Sequence, residues 1–178
     1  RRQGDMIFCA SHHAGHIVLN GMFPNYTYLP IWLDEGFGAW MEVQVVDDSL
    51  TACGTKGYGV GAVRKDKWST SSTWKENLKQ SIADGSVTPV SRLLVKPLNK
   101  LGWKDIAKAW SVIDWWVTTD PEKFRAFVRE VRSRYPRWDK HAECAPADLA
   151  RFQNEALMAV FGLDADGVER EWRKHVSA

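Results

Sequence analysis

Apolar residues recur every three or four positions along much of the chain, which is the pattern of amphipathic α-helices. The first such stripe consists of Ile7, Ala10, Ala14, Ile17 and Val18. It predicts a helix that Asp5 caps, that runs to about Asn20 and that stops at Gly21. A second stripe consists of Phe37, Trp40, Met41 and Val45, in spite of the glycines at positions 36 and 38. Because Asp is a common N-cap residue, we predict that Asp34 begins this second helix.

The last third of the chain carries the clearest periodicity. One stripe consists of Ile106, Ala109, Trp110, Ile113, Trp116 and Val117. Its helix should end before Pro121, and Asp120 as cap with Pro121 at the first helical position predicts the start of the next one. Two more helices are predicted, one from Pro146 to a stop at Gly162 and a terminal one marked by Val168, Trp172 and Val176.

The middle of the chain is less regular. Residues 47–72 are rich in Gly, Ser, Thr and Asp, and only the alternation at 58–63 favours a strand. Thr73 and Glu76 form a capping-box pattern, which predicts a short helix ending near Gly85, and another short helix is predicted at 90–95. The predicted fold class is therefore mainly α, or α+β at most with a small β-hairpin, in a single domain over residues 1–178.

Composition and charge exclude several classes of protein. The 178 residues include 24 Lys and Arg against 22 Asp and Glu, a net charge of +2, so no basic field marks a nucleic-acid partner. No run of about 18 apolar residues is present, which argues against a transmembrane segment. The ten tryptophans fall mostly at helical spacing with other apolar residues. This spacing favours packing in a core over stacking on sugars or bases.

The start of the chain and its cysteines are compatible with more than one cellular compartment. The chain begins without Met and without the apolar core of a signal peptide, so we expect a fragment of a longer precursor. An extracytoplasmic location is open if a signal was removed. Cys9, Cys53 and Cys144 show no CxxC spacing. Cys53 and Cys144 could pair in an exported protein, or all three could stay reduced.

Candidate metal chemistry begins with two histidines of the first predicted helix. His12 and His16 are four residues apart, which on an α-helix places them about 40° apart around the axis and about 6 Å along it. Two imidazoles so placed can bind one zinc ion if a third ligand comes from elsewhere. By itself such a pair is weak evidence for a metal site, because histidines at this spacing are more often surface or core residues. An acid, Glu35, follows in the segment WLDEGF after the eighteen residues 17–34.

These motifs resemble those of the gluzincin zinc metallopeptidases, in which an HExxH helix precedes a helix with a glutamate ligand. The aminopeptidase-N-type branch has a similar WLNEGFA motif at the same eighteen-residue distance. A bacterial family of gluzincin-like proteins shares WL-x-EG and has patterns similar to AWSVIDWW, KFRAF and FGLDADGVEREW. The resemblance covers about residues 11–176. It implies thermolysin-like catalytic-domain helices, one Zn²⁺ ion held by His12, His16 and Glu35, and a peptide or protein as substrate or ligand.

The chain departs from this pattern at His13, which gives HHAGH where the family has HExxH. In the family the glutamate at this position takes a proton from the attacking water and delivers it to the leaving amine. Three roles for His13 stay open. It could be a general base, since imidazole titrates near neutral pH. It could be a further metal ligand that closes the site, or it could fill a site that has lost its activity.

The resemblance draws attention to two more residues. Gluzincins tend to supply a Tyr or His that polarises the substrate carbonyl, and the similar bacterial family commonly has a Tyr near the start of the helix that here carries Ile106. This chain has no Tyr between Tyr58 and Tyr135, so Tyr58 is the nearest candidate, with packing as its other interpretation. Asp34 could orient a metal ligand from behind, besides its predicted capping role.

Three hypotheses about function follow from these motifs. In the favoured one, the chain is a zinc metallopeptidase-like domain with impaired or absent hydrolysis, a pseudopeptidase that could bind peptides. In the second, it is an active zinc peptidase that uses His13 or another residue as general base. In the third, hydrogen bonds satisfy His12, His16 and Glu35 without a metal. The replacement by His13 and the missing later Tyr favour the first hypothesis.

Overall fold

A computed structural model describes residues 3–21, 29–51, 53, 68, 70–135 and 144–178, and these form eight α-helices. The helices are α1 Gln3–Gly21, α2 Ile31–Val46, α3 Trp74–Ala83, α4 Val90–Leu93, α5 Trp103–Thr119, α6 Pro121–Arg134, α7 Pro146–Phe161 and α8 Ala165–Ser177. Within these described ranges no strand is present, so the prediction of a mainly α fold is confirmed. The predicted strand at 58–63 lies outside the described residues.

Helix ends in the second half of the chain follow their sequence signals. The Asp120 carboxylate accepts a hydrogen bond from the backbone N–H of Lys123 at 3.0 Å, and Pro121 is the first residue of α6. Gly162 ends α7 with a φ of 68°, a left-handed conformation that glycine adopts without a steric penalty. Caps and prolines act within one helical turn, which explains why the sequence alone locates these ends.

Two predicted caps in the first half, Asp5 and Asp34, are wrong, and a third, Thr73, stands at the predicted helix start without the predicted capping bond. Helix α1 already includes Gln3, so Asp5 lies inside it. Helix α2 begins at Ile31, because the carbonyl of Pro30 accepts the N–H groups of residues 33 and 34, and Asp34 therefore lies in the first turn. Thr73 precedes α3 but makes no capping bond from its side chain. A preceding 3₁₀ turn holds Thr73 in a helical conformation, and its hydroxyl donates to the Thr70 carbonyl at 2.9 Å.

The core is built around α5, which contacts α2, α3, α6 and α8. Its buried side packs rings and branched aliphatic residues against these neighbours. The prediction that tryptophans fill the core is confirmed for six of them: Trp32, Trp68, Trp74, Trp110, Trp116 and Trp172. None of the helices in the described part of the chain is long and apolar enough to cross a bilayer.

Glycines let α2 lie close to both of its neighbours. A Cβ at Gly36 would be 2.8 Å from the Ala109 Cβ of α5, and a Cβ at Gly15 of α1 would be 2.9 Å from the Gly38 Cα of α2. These distances are shorter than ordinary carbon contacts, so a larger residue would push the helices apart. The close approach of α1 to α2 sets the distance between the His12–His16 face and Glu35.

Candidate metal centre

The interface between α1 and α2 brings the three predicted ligands together. His12 is fully buried, Glu35 is 4% exposed, and the His16 side chain is 17% exposed. His12 Nε2 lies 3.5 Å from Glu35 Oε2, and His16 Nε2 lies 3.8 Å from Glu35 Oε1. One carboxylate therefore faces both imidazole rings, whose centroids are 4.7 Å apart.

A fourth residue, Cys53, joins this group from beyond the end of α2. Its Sγ lies 3.4 Å from His16 Nε2, and its backbone N–H donates to Glu35 Oε2 at 3.1 Å. The candidate ligand atoms of His12, His16, Glu35 and Cys53 all lie within 4.8 Å of one another. This group, called here the metal cluster, could hold a metal ion.

Sequence reasoning missed Cys53 as a member of the metal cluster. It considered Cys53 only as a disulfide partner or a free thiol, because no neighbouring Cys or His gives it a metal-binding spacing. The three cysteines, all within the described part of the chain, form no disulfide with one another. The one sequence feature that could have indicated a metal-binding role for Cys53 is its position after the helix that carries Glu35, and this is weak evidence.

The histidines of the metal cluster have ring nitrogens without hydrogen bonds. Both nitrogens of His12 and Nδ1 of His16 are buried and make none. His12 Nδ1 faces Glu42 Oε2 at 3.4 Å, and His16 Nδ1 faces Asp34 Oδ1 at 2.9 Å, a short contact that is not aligned as a hydrogen bond. Because buried polar atoms are normally paired, a donor set of this kind fits a bound cation.

Glu42 connects the buried ring of His12 to the chain segment that carries Cys53. Its carboxylate is fully buried and accepts hydrogen bonds from the Ser49 hydroxyl at 2.8 Å, the Leu50 N–H at 2.9 Å and the Thr51 hydroxyl at 2.9 Å. One carboxylate thereby holds residues 49–51 against α2. Sequence reasoning also missed Glu42, since nothing in its local pattern separates it from a surface glutamate of an amphipathic helix.

The ring of His12 lies directly against Gly38. A Cβ at this position would be 2.8 Å from both Cε1 and Nε2 of the ring. Only glycine leaves room for the imidazole here, because the contact would fall well below a normal carbon distance. A glycine that weakens helix propensity in α2 is therefore explained by the position of a candidate ligand.

The electrostatics of the metal cluster favour a positive charge. Burial alone lowers the pKa of His12, but contacts with Cys53, Glu35 and Glu42 outweigh it and raise that pKa to about 11. His16 behaves in the same way, and beside Asp34 and Cys53 its pKa rises to about 9. The pKa of Glu35 is lowered, since the neighbouring His12 outweighs the effect of burial. The cluster thus binds protons tightly, and a metal ion must compete with them.

Of the two remaining predicted site residues, the structure describes His13 but not Tyr58. His13 is exposed, and its Nδ1–H donates to the Cys9 carbonyl at 2.8 Å within α1. Its ring centroid lies 6.0 Å from that of His12 and 5.8 Å from that of His16, beside the metal cluster but not among the four residues that form it. Tyr58 lies outside the described residues, so its predicted role stays a prediction.

Comparison with known proteins identifies a family for this chain. No curated protein and no solved structure matches the chain. Residues 6–137 match a family described as "Protein of unknown function (DUF1570)". This range contains all four residues of the metal cluster. Since the match spans more than half of the 178 residues, the chain belongs to the DUF1570 family.

Proposed function

We propose that the chain is a zinc-binding, metallopeptidase-like domain of the gluzincin type in which peptide hydrolysis is impaired or absent. The observation that carries the proposal is the meeting of His12 and His16 of α1 with Glu35 of α2. The same residues carry the sequence resemblance to HExxH and WLNEGFA. The three residues that the motifs predict as ligands are thus close together in the fold.

Zinc is the ion that these donors suit. Tetrahedral zinc, with bonds of about 2.0 to 2.3 Å, holds its ligand atoms about 3.3 to 3.6 Å apart. The contacts of His12 with Glu35 at 3.5 Å and of His16 with Cys53 at 3.4 Å are close to this spacing. Each histidine also turns its Nδ1 toward a carboxylate, as zinc-bound histidines do. A zinc ion, when bound, acts as a Lewis acid toward water or a carbonyl oxygen.

The residue after the first ligand supports impaired hydrolysis. A glutamate at position 13 would offer two carboxylate oxygens as proton acceptors. His13 instead uses Nδ1 to donate to the Cys9 carbonyl, which fastens the ring to its own helix. Only Nε2 of the ring remains to accept a proton, and its distance from the backbone differs from that of a glutamate carboxylate oxygen. General acid–base transfer depends on such geometry, so we expect a large loss of rate.

An active peptidase is the second candidate, and one observation favours it. Because Nδ1–H of His13 donates to a carbonyl, a neutral imidazole has its lone pair on Nε2 and can accept a proton there. In this alternative His13 is the general base. A peptide or protein segment is the substrate of the active candidate and the ligand of the inactive one.

Metal analysis and hydrolysis assays of the purified protein test the proposal. We expect about one zinc ion per chain and no cleavage of a broad peptide library by the zinc-loaded protein. Zinc-dependent cleavage that His13→Ala abolishes would select the active peptidase instead. A protein that takes up no zinc, and whose melting temperature zinc does not raise, would contradict both candidates.

A further inference from the structure

We infer that Cys53 is the fourth ligand of the metal ion, so that the chain itself fills the position which a catalytic zinc site leaves to water. This inference rests on the proposed zinc site and adds to it the kind of site, closed rather than open. Catalytic zinc sites have three protein ligands and one open position, whereas structural sites have four. The candidate ligand atoms of Cys53, His12, His16 and Glu35 lie within 4.8 Å of one another.

Contacts of both the sulfur and the backbone of Cys53 support this assignment. Its Sγ lies 3.4 Å from Nε2 of His16, the nitrogen that also faces Glu35. Its N–H donates to Glu35 Oε2 at 3.1 Å, so the cysteine is held on the carboxylate that joins the two histidines. Among the described residues no other cysteine belongs to the metal cluster.

The path of the chain toward Cys53 is fixed by buried groups. Asp47 ends α2 with a φ of 57°, and this left-handed residue turns the chain back along the helix. Glu42 then holds residues 49–51, and the Asp48 carboxylate accepts the Ser71 N–H at 2.7 Å. A left-handed non-glycine residue and a buried carboxylate both cost free energy of folding. This indicates that the return path is a specific feature of the fold. Cys53 is therefore preorganised next to the histidines.

Charge balance gives a further reason for a thiolate ligand. The centre is largely buried, where an uncompensated charge is expensive. A zinc ion carries two positive charges, and the Glu35 carboxylate neutralises one of them. The Cys53 thiolate neutralises the other, and its proton leaves to solvent as the Zn–S bond forms. Two neutral imidazoles then complete the ligand set, so that the ion and its four ligands carry no net charge, while Glu42 is a separate buried carboxylate held by hydrogen bonds from residues 49–51.

The closed site has a consequence for activity that is separate from His13. With four protein ligands, water has no coordination position, so restoring the glutamate by His13→Glu should not by itself restore hydrolysis. In an open site that lost only its base, the same change should restore it. Two causes of inactivity can thus be told apart.

Cobalt binding tests the fourth ligand directly. Co²⁺ replaces zinc in such sites and shows a thiolate-to-cobalt charge-transfer band in the near ultraviolet when a cysteine binds it. We expect this band in the wild-type protein and in the control Cys9→Ala, and its loss in Cys53→Ala, which still binds one cobalt ion through the remaining ligands. One bound cobalt ion without the band in wild type, or a band unchanged in Cys53→Ala, would overturn the inference and leave the proposed zinc site intact.

A measurement on the wild-type protein covers the case in which Cys53→Ala does not fold. Alkylation of each cysteine is followed by mass mapping with and without zinc. We expect zinc to protect Cys53 and to leave the rate at Cys9 unchanged. Equal alkylation of Cys53 in both states, with zinc shown to be bound, would overturn the inference. Failure of the wild type to bind either zinc or cobalt would instead overturn the proposed function, and this inference with it.

Discussion

Two regions of the molecule bury charged side chains, and they differ in how the chain satisfies them. Between α5 and α8 the fully buried Lys108 donates to Glu169 at 2.7 Å, and its Nζ lies 2.9 Å from the centre of the Trp172 ring. Glu169 also accepts from the Val90 N–H at 3.1 Å and from Arg173 at 2.7 Å. This ion pair is complete within the protein.

The metal cluster between α1 and α2 is not satisfied in this way. Three nitrogens of its two histidines are buried without a hydrogen bond, while carboxylates face them from several sides. In the Lys108–Glu169 pair each buried charge has a hydrogen-bonded partner of opposite sign, although desolvation still exceeds that attraction and lowers the pKa of Lys108. In the cluster the three imidazole nitrogens have no aligned hydrogen bond, and a bound cation could be their partner. A buried polar group is thus a functional indication mainly where the chain leaves it unpaired.

Breaking the ion pair should have the largest effect on stability. Glu169→Leu leaves the Lys108 ammonium buried without its partner, and we expect a loss of about 3–5 kcal/mol in the free energy of unfolding. Lys108→Met should cost no more than about 1 kcal/mol, because Glu169 keeps Val90 and Arg173 and the new side chain has a similar shape. Urea unfolding of both variants measures the difference. Equal losses would show that the pair is not a self-contained unit.

Removing a ligand should change metal affinity without a comparable loss of stability. His16→Ala deletes a partly exposed member of the metal cluster, and we expect zinc affinity to fall by more than the roughly 100-fold that an outer-shell change can cost. The matched control is His13→Ala, an exposed histidine on the same helix, which should bind zinc as the wild type does. Competition with a chromophoric chelator measures both. Similar losses in the two variants would place His13 among the ligands.

The carboxylates behind the histidines should have an intermediate effect. Glu42→Gln and Asp34→Asn keep the shape of each side chain but remove the charge facing Nδ1 of His12 or His16. Carboxylates that face the far ring nitrogen of a metal-binding histidine contribute about 10–100-fold to metal affinity, so we expect losses in that range. Unchanged zinc affinity in Asp34→Asn would show that its 2.9 Å contact does not orient His16.

The two regions should respond to pH with opposite sign in the metal-free protein. His12 and His16 have folded pKa values of about 11 and about 9 against 6.5. Their contribution to stability is therefore full below pH 6.5 and is lost as the pH rises toward those values. Burial lowers the pKa of Lys108 from 10.5 to about 7, so its contribution grows as the pH rises from about 7 to 10.5.

Urea unfolding between pH 6.5 and 9.5 separates the two contributions, because they change the free energy of unfolding in opposite directions over this range. His16→Ala should weaken the loss of stability at high pH, and Lys108→Met should remove the gain. With zinc bound, the loss should largely disappear, because the metal replaces the protons. The same pH profile in all three proteins would contradict the assignment of these groups.

The parts of the molecule that sequence reasoning located depend on neighbours within one or two turns. The stripe of α5, the cap at Asp120 and the stop at Gly162 are all read from residues three or four positions apart. The same holds for His12 and His16, which share a face because of helical geometry. Asp34 shows the limit, because its predicted cap was wrong while its contact with His16 depends on how α1 meets α2.

The amino-acid sequence is enough to predict a mainly helical chain with His12, His16 and Glu35 as candidate ligands. The positions of Glu42 behind His12, of Gly38 against its ring and of Cys53 in the cluster follow from how the helices and the return segment pack together. The difference between the two groups of residues lies in how far apart along the chain the interacting residues are. Periodicity, capping and motif spacing act along the chain over a few residues. Cys53 is 37 positions from His16, and it reaches this histidine because Asp47 turns the chain back along α2 and the buried Glu42 carboxylate holds it there.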